Sequence, residues 1–162
     1  MKKKYTICWI GILMTLMCSC EDFRMDYTYE ITLINNSNDT IYSLCIEGNM
    51  YRFQSVDTLD KDSSIYEIAY IPANRKDFFV GISDIDPKKF PRRTDTITVF
   101  ILDKKEYESK SWAQLTDSAH FKQIYHLSGD DIRKLDSDVP YPPTEAMRNI
   151  DMVPSYDETM KN

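Results

Sequence analysis

TITVFIL, residues 96–102, is the most apolar run in the body of the chain. β-Branched and aromatic residues fill it and no charge interrupts it, which predicts a strand at the centre of a sheet. Working outward, Tyr27, Tyr29, Ile31 and Leu33 alternate with Thr28, Glu30 and Thr32, the period of a half-buried strand. NNSND at 35–39 is a turn cluster, since Asn and Asp bond their own backbone and accept left-handed geometry. Thr40 to Glu47 then predicts a returning strand, paired with the first as an antiparallel hairpin. Further strands are expected near Met50–Val56, over Ser64–Ile71 with Tyr66, Ile68 and Tyr70 on one face, at Phe78–Ile82, and at FKQIYHL, 121–127. The stretch SDIDPKKFPRRTD, 83–95, reads as a loop because Pro87 and Pro91 cannot serve an interior ladder.

Short helices interrupt the C-terminal half. Ser111 and Gln114 have capping-box spacing ahead of Trp112, Leu115 and Ala119. Ser128 and Asp131 repeat the arrangement ahead of Ile132 and Leu135. VPYPP, 139–143, must be extended, and Thr144 is placed to cap a last turn carrying Met147 and Ile150. The predicted architecture is mainly β: a single antiparallel β-sandwich, immunoglobulin-like or related, over residues 27–154, with two or three short helical insertions. Residues 155–162 are expected to be a loose tail.

The N-terminus decides the compartment. Lys2, Lys3 and Lys4 precede an uncharged stretch from Tyr5 to Ser19, the layout of a secretory signal. It is shorter than the roughly 20 apolar residues that a spanning helix needs. LMTLMCSCEDF, 13–23, closes it, and this stretch resembles the bacterial lipobox: aliphatic residues, the small Ser19, then Cys20. Met17 stands where the pattern usually has Leu, and Cys18 follows that large residue, so Cys20 fits and Cys18 does not. The resemblance implies cleavage after residue 19, lipidation of Cys20, and a tether of residues 20–26. The alternative is an ordinary signal with two incidental cysteines. Glu21 and Asp22 resemble the acidic export signal of some Bacteroidetes surface lipoproteins. The expected place is the bacterial cell envelope, at the outer membrane, with either face open.

Losing residues 1–19 leaves 143 of the 162 residues, enough for one core. It removes three lysines and no acids, so 17 basic residues face 26 acidic ones and the net charge becomes −9. That balance argues against nucleic acid as a partner. Cys45 becomes the sole unmodified cysteine, so no disulfide forms within the mature chain. Its place in TIYSLCIEG predicts a strand residue acting as a small apolar group.

The segments DTITVFILDKKEYESKSW and IYHLSGDDIRKLDSDVPYPPTEAMRNIDMVPSY resemble small lipoproteins of the Bacteroidales. In these a Trp-containing helix follows a central strand and a Tyr-Pro-Pro-Thr-Glu segment closes the domain. The resemblance implies compartment and architecture and carries no assigned activity.

Motifs with chemistry are sparse. His120 and His126, the only histidines, are about 20 Å apart if one strand carries both, too far to share a metal. DIDP, 84–87, has the acid-x-acid spacing of a calcium loop, but Lys89 stands where that loop requires Gly. Gly48, Gly81 and Gly129 belong to no phosphate-binding motif. No catalytic residue, metal or cofactor is expected. Lys88, Lys89, Arg92 and Arg93 form a dense basic patch able to meet an anionic partner, or simply a solvated loop. Thr40, Thr58, Thr96 and Ser118 each follow Asp and precede a small or apolar residue. This resembles an O-glycan acceptor motif of exported Bacteroidetes proteins, and also the ordinary junction of turn and strand. Eleven tyrosines suit either cross-strand packing or stacking on sugars. The expected function is a non-catalytic interaction or accessory module held at the membrane by acyl chains on Cys20, contacting an envelope protein. The alternatives are a glycan-binding module and an enzyme without a recognisable motif. Exposed aromatics clustered on one sheet face would favour sugars.

Overall fold

The structure is a computed structural model that describes residues 27–48, 56, 59–60, 62, 68–83, 96–117 and 120–161. The chain is mainly β, with two sheets and short helices. The described strands are β1 (Tyr27–Asn35), β2 (Ile41–Gly48), β3 (Ile68–Ile71), β4 (Arg75–Ser83), β5 (Thr96–Asp103), β6 (Gln123–Ser128), β7 (Asp138–Tyr141) and β8 (Asp151–Val153). One sheet runs β4-β1-β7 and the other β3-β2-β5-β6-β8.

TITVFIL takes the middle of the larger sheet. β5 pairs antiparallel with β2 on one side and β6 on the other, and Thr96 to Leu102 are all buried. Its uninterrupted apolar character follows from burial on two faces. Ile97, Val99 and Ile101 join a core that also takes Ile31 and Leu33 from β1 and Val139 and Tyr141 from β7. Phe100 and Leu102 point the other way, into a second core with Leu44, Leu59, Trp112, Leu115 and Ile124. Fully burying a Leu, Ile or Phe contributes about 1.5–3 kcal/mol, so both faces of this sheet hold the fold together.

The expected β1–β2 hairpin does not form. β1 belongs to the smaller sheet and β2 to the larger, and residues 36–40 carry the chain from one to the other. β3 and β4 are likewise divided, with the crossing at residues 72–74. Asn35 is the physical reason for the first corner. It continues the inward face of Ile31 and Leu33, is 0% exposed, and uses its amide on the turn. Its Nδ2 donates to the carbonyls of Asp39 (2.8 Å), Ile71 (3.1 Å) and Pro72 (3.0 Å). Its Oδ1 accepts from the Ser37 backbone N–H (3.0 Å) and hydroxyl (2.7 Å). Asn74, at φ 55°, donates its N–H to the Ser37 carbonyl at 3.2 Å. One side chain thus ties the two crossings together.

The smaller sheet is mixed, not purely antiparallel: β1 is antiparallel to β4 and parallel to β7. β7 corresponds to the segment expected to be extended. The weak strand expected near Met50–Val56 and the loop at 83–95 lie almost wholly outside the described residues.

The helices α1 (Lys104–Ser109), α2 (Trp112–Asp117), α3 (Gly129–Lys134) and α4 (Tyr156–Thr159) and a one-turn 3-10 helix (Glu145–Met147) fill the C-terminal half. The capping spacings are realised. Gln114 Oε1 accepts from the Ser111 N–H at 2.9 Å, and Ser128 and Asp131 form a reciprocal box. Ile132 and Met147 are fully buried beneath α3 and the 3-10 turn. Residues 155–161 depart from the loose tail expected of them. Ser155 and Glu158 cap α4, Tyr156 packs into the first core, and the Thr159 hydroxyl donates to Gln123 Oε1 at 3.1 Å. Buried Gln123 also donates from Nε2 to the Pro154 carbonyl at 2.8 Å, so its polar atoms require this segment. Among the described residues no helix is long and apolar enough to cross a membrane.

Candidate functional site

Among the described residues, α1, α2 and Leu59 cover part of the outer face of the larger sheet. α2 packs Trp112 and Leu115 over it, with the Trp112 indole N–H donating to the Asp60 carbonyl at 2.8 Å. α1 follows β5 directly because Asp103 caps it, accepting from the Lys105 N–H at 2.8 Å. Toward β3 the cover ends in three tyrosines. Tyr42 of β2 stacks on Tyr107 of α1, with centroids 4.0 Å apart, and meets Tyr70 of β3 edge-on at 5.5 Å. Tyr42 and Tyr107 are half-buried and Tyr70 is 49% exposed.

Beside them lies an open depression of about 580 Å³ around the start of α1, lined among others by Asp39, Thr40, Asp103, Lys104 and Glu108. The Tyr42 hydroxyl donates to Glu108 Oε1 at 3.3 Å, joining the aromatic strip to that wall. Burial, with the Glu108 carboxylate beside it, raises the Tyr42 phenol above its ordinary range. A second hollow of about 510 Å³ shares Asp103 and Lys105 and continues to Glu106, His120, Phe121 and Lys122.

Several of the charged groups here are paired, Lys104 with Glu108 at 3.8 Å among them. Lys122 Nζ lies 3.3 Å from Asp103 and 4.0 Å from Asp39. Burial works to lower the Lys122 pKa, but Tyr141 and Asp103 outweigh it and hold the ammonium above its ordinary range. An amine held charged is neither a nucleophile nor a base. His120 presents Nδ1 to Glu106 at 3.3 Å and Nε2 to the Lys110 ammonium at 3.0 Å. The ammonium can only donate, so Nε2 is the acceptor in that contact. Among the described residues no three His, Cys, Asp or Glu side chains are grouped to hold a metal ion.

The residues singled out in the sequence fall as follows. Cys20, Lys88, Lys89, Arg92, Arg93, Thr58 and Ser118 lie outside the described residues. Thr40 is half-buried on the wall of the first depression. Thr96, the first residue of β5, is 1% exposed. Cys45 is half-buried and packs against the first core, as a small strand residue should. His126 sits on β6 opposite Thr98 and Asp151, while His120 precedes the strand and faces α1. Burial lowers the His126 pKa, against the pull of Asp151.

Sequence reading did not assemble the Tyr42, Tyr70 and Tyr107 strip. Alternation placed Tyr70 and Tyr42 on strand faces, but α1 was not expected, and Tyr107 arrives on it. Asp103 ahead of KKEYES is the one signal, an N-cap residue before good helix formers. Comparison with known protein families, with curated proteins and with solved structures finds no match.

Proposed function

We propose that this chain is a lipid-anchored, non-catalytic binding module of the bacterial envelope, built as a β-sandwich that works close to its membrane. The observation that carries the reading is the short distance from Cys20 to the first ladder. β1 opens at Tyr27, paired with Ser83, and only residues 21–26 separate it from the lipidated cysteine. Six extended residues reach about 20 Å. Three acyl chains on Cys20 anchor far beyond the marginal hold of a single chain. The sandwich reading is supported by the buried cluster drawn from both sheets. The non-catalytic reading is supported by Lys122, whose ammonium is held charged beside Asp103 in the second hollow.

The test is the intact mass of the protein extracted from membranes, beside a Cys20→Ser control. The expected species begins at residue 20 and carries a diacylglyceryl and an acyl group; the control lacks both and leaves the membrane fraction. An unlipidated species beginning at another residue overturns the anchor.

A further inference from the structure

We infer that the strip formed by Tyr70, Tyr42 and Tyr107, together with the adjoining depression, is a binding site for a neutral carbohydrate chain. The inference deepens the reading of this domain as a binding module and does not depend on the lipid anchor.

Three observations converge. The first is the ring arrangement. Tyr42 is fixed between Tyr107 and Tyr70, and Tyr70, on edge strand β3, stands 49% exposed. A rigid aromatic platform that ends in an exposed ring offers a pyranose the apolar face that its axial C–H groups pack on. The second is proximity: the Tyr42 hydroxyl donates to Glu108, and Glu108 also lines the depression, so one carboxylate joins the aromatic strip to the polar wall. The third is charge. Asp39, Asp103 and Glu108 stand among Lys104 and Lys105 on the wall, with Lys122 against both aspartates. Carboxylates accept from sugar hydroxyls and ammonium groups donate to them. A polyanion would meet three acids in the same hollow. A neutral polyhydroxyl chain uses both signs. The hollow is open, which suits a chain passing through in preference to a small molecule enclosed within it.

The test is affinity electrophoresis of the full-length, detergent-extracted protein through gels holding α-mannan, β-glucan, arabinoxylan or dextran. Polygalacturonate and heparin serve as acidic comparisons. At least one neutral polysaccharide should retard the protein. Tyr70→Ala should weaken that retardation about tenfold, the loss of one stacked ring, whereas Tyr70→Phe should stay within about threefold. Should Tyr70→Ala not fold, Glu108→Ala carries the same test and should also weaken neutral binding severalfold. No retardation by any neutral polysaccharide, retardation confined to the acidic ones, or full retention of binding by the alanine variant overturns the proposal. Each of those results leaves the mass of the Cys20 species unaffected, so the glycan and anchor readings fail separately.

Discussion

Replacing Asn35 by Ala tests whether one buried amide holds the two sheet crossings together. The side chain makes five hydrogen bonds, three as donor to carbonyls of two separate turns and two as acceptor from Ser37. A net hydrogen bond contributes about 1 kcal/mol, and a buried carbonyl left unpaired costs about 1–3 kcal/mol. Two amide hydrogens serve three carbonyls, so the five are not additive. The Ile71 carbonyl, bonded at a buried position, is the one water reaches least easily. The expected loss is about 3–5 kcal/mol, a large share of the roughly 5–15 kcal/mol that holds a domain folded. With a urea slope near 2 kcal/mol per molar, the midpoint should fall by about 1.5–2.5 M at unchanged slope. Asn35→Leu should fail equally, because a matched volume cannot donate to carbonyls. Ser37→Ala, which removes one of the five bonds at a more exposed position, should cost about 1 kcal/mol. Urea melts followed through Trp112 fluorescence measure all three. An Asn35→Ala midpoint within about 0.5 M of the parent would refute the reasoning, since the corner would then be held by strand packing alone.

Other outcomes follow from the same geometry. Ser43 is 1% exposed between the sheets, and its hydroxyl has no hydrogen-bond partner among the described residues. Ser43→Ala should therefore be neutral or raise stability by up to about 1 kcal/mol in a urea melt, and a loss above about 1 kcal/mol would reveal a partner. Acid should weaken the fold in two stages. His126 is held below its ordinary 6.5 by burial, against Asp151. Glu145 is held below 4.5 by the Arg148 guanidinium and then the Tyr156 hydroxyl. Each group gives up its proton more readily when folded, so each contributes stability that is complete above the unfolded pKa and lost as pH falls. The urea midpoint should start to decline near pH 6.5, less so in His126→Gln, and a midpoint rising between pH 7 and 5.5 would contradict the assignment. Below pH 4.5, amide exchange in residues 155–161 should accelerate ahead of the sheets, because Arg148, which lies over the Tyr156 ring, loses the Glu145 carboxylate as its partner.

What the sequence revealed and what it hid divide along physical lines. TITVFIL announced a central strand because seven residues without a charge need cover that only an interior position gives. Ser111–Gln114 and Ser128–Asp131 announced their helices because capping is a contact between near neighbours. Strand partners were hidden. Alternation reports which side chains share a face, and on β2 both faces proved buried, Ile41 and Ser43 toward one core and Leu44 toward the other. NNSND looked like a hairpin turn because a turn between sheets uses the same residue types. The difference lay in Asn35, whose carbonyl partners Ile71 and Pro72 are remote in sequence. β8 has three residues, too few to show a period, and the order of α4 rests on the distant Gln123. The tyrosine strip was half legible, since Tyr42 and Tyr70 stood on predicted strands while the third ring waited on an unforeseen helix.

The parallel pairing of β7 with β1 has a consequence for how the molecule is completed. β1, the first of the described strands, gains its second neighbour only when residues 138–141 arrive, and β6 waits longer still, for residues 151–153. Residues 138–153 therefore close an edge of each sheet. Such long-range closure is slow, and until it happens two rows of backbone donors and acceptors stand open. A chain cut short before residue 138 would strip Val139, Tyr141, Met147, Ile150, Met152 and Tyr156 from the first core and leave both seams unsealed. Its expected fate is self-association, through those seams and through the apolar face that the missing residues cover.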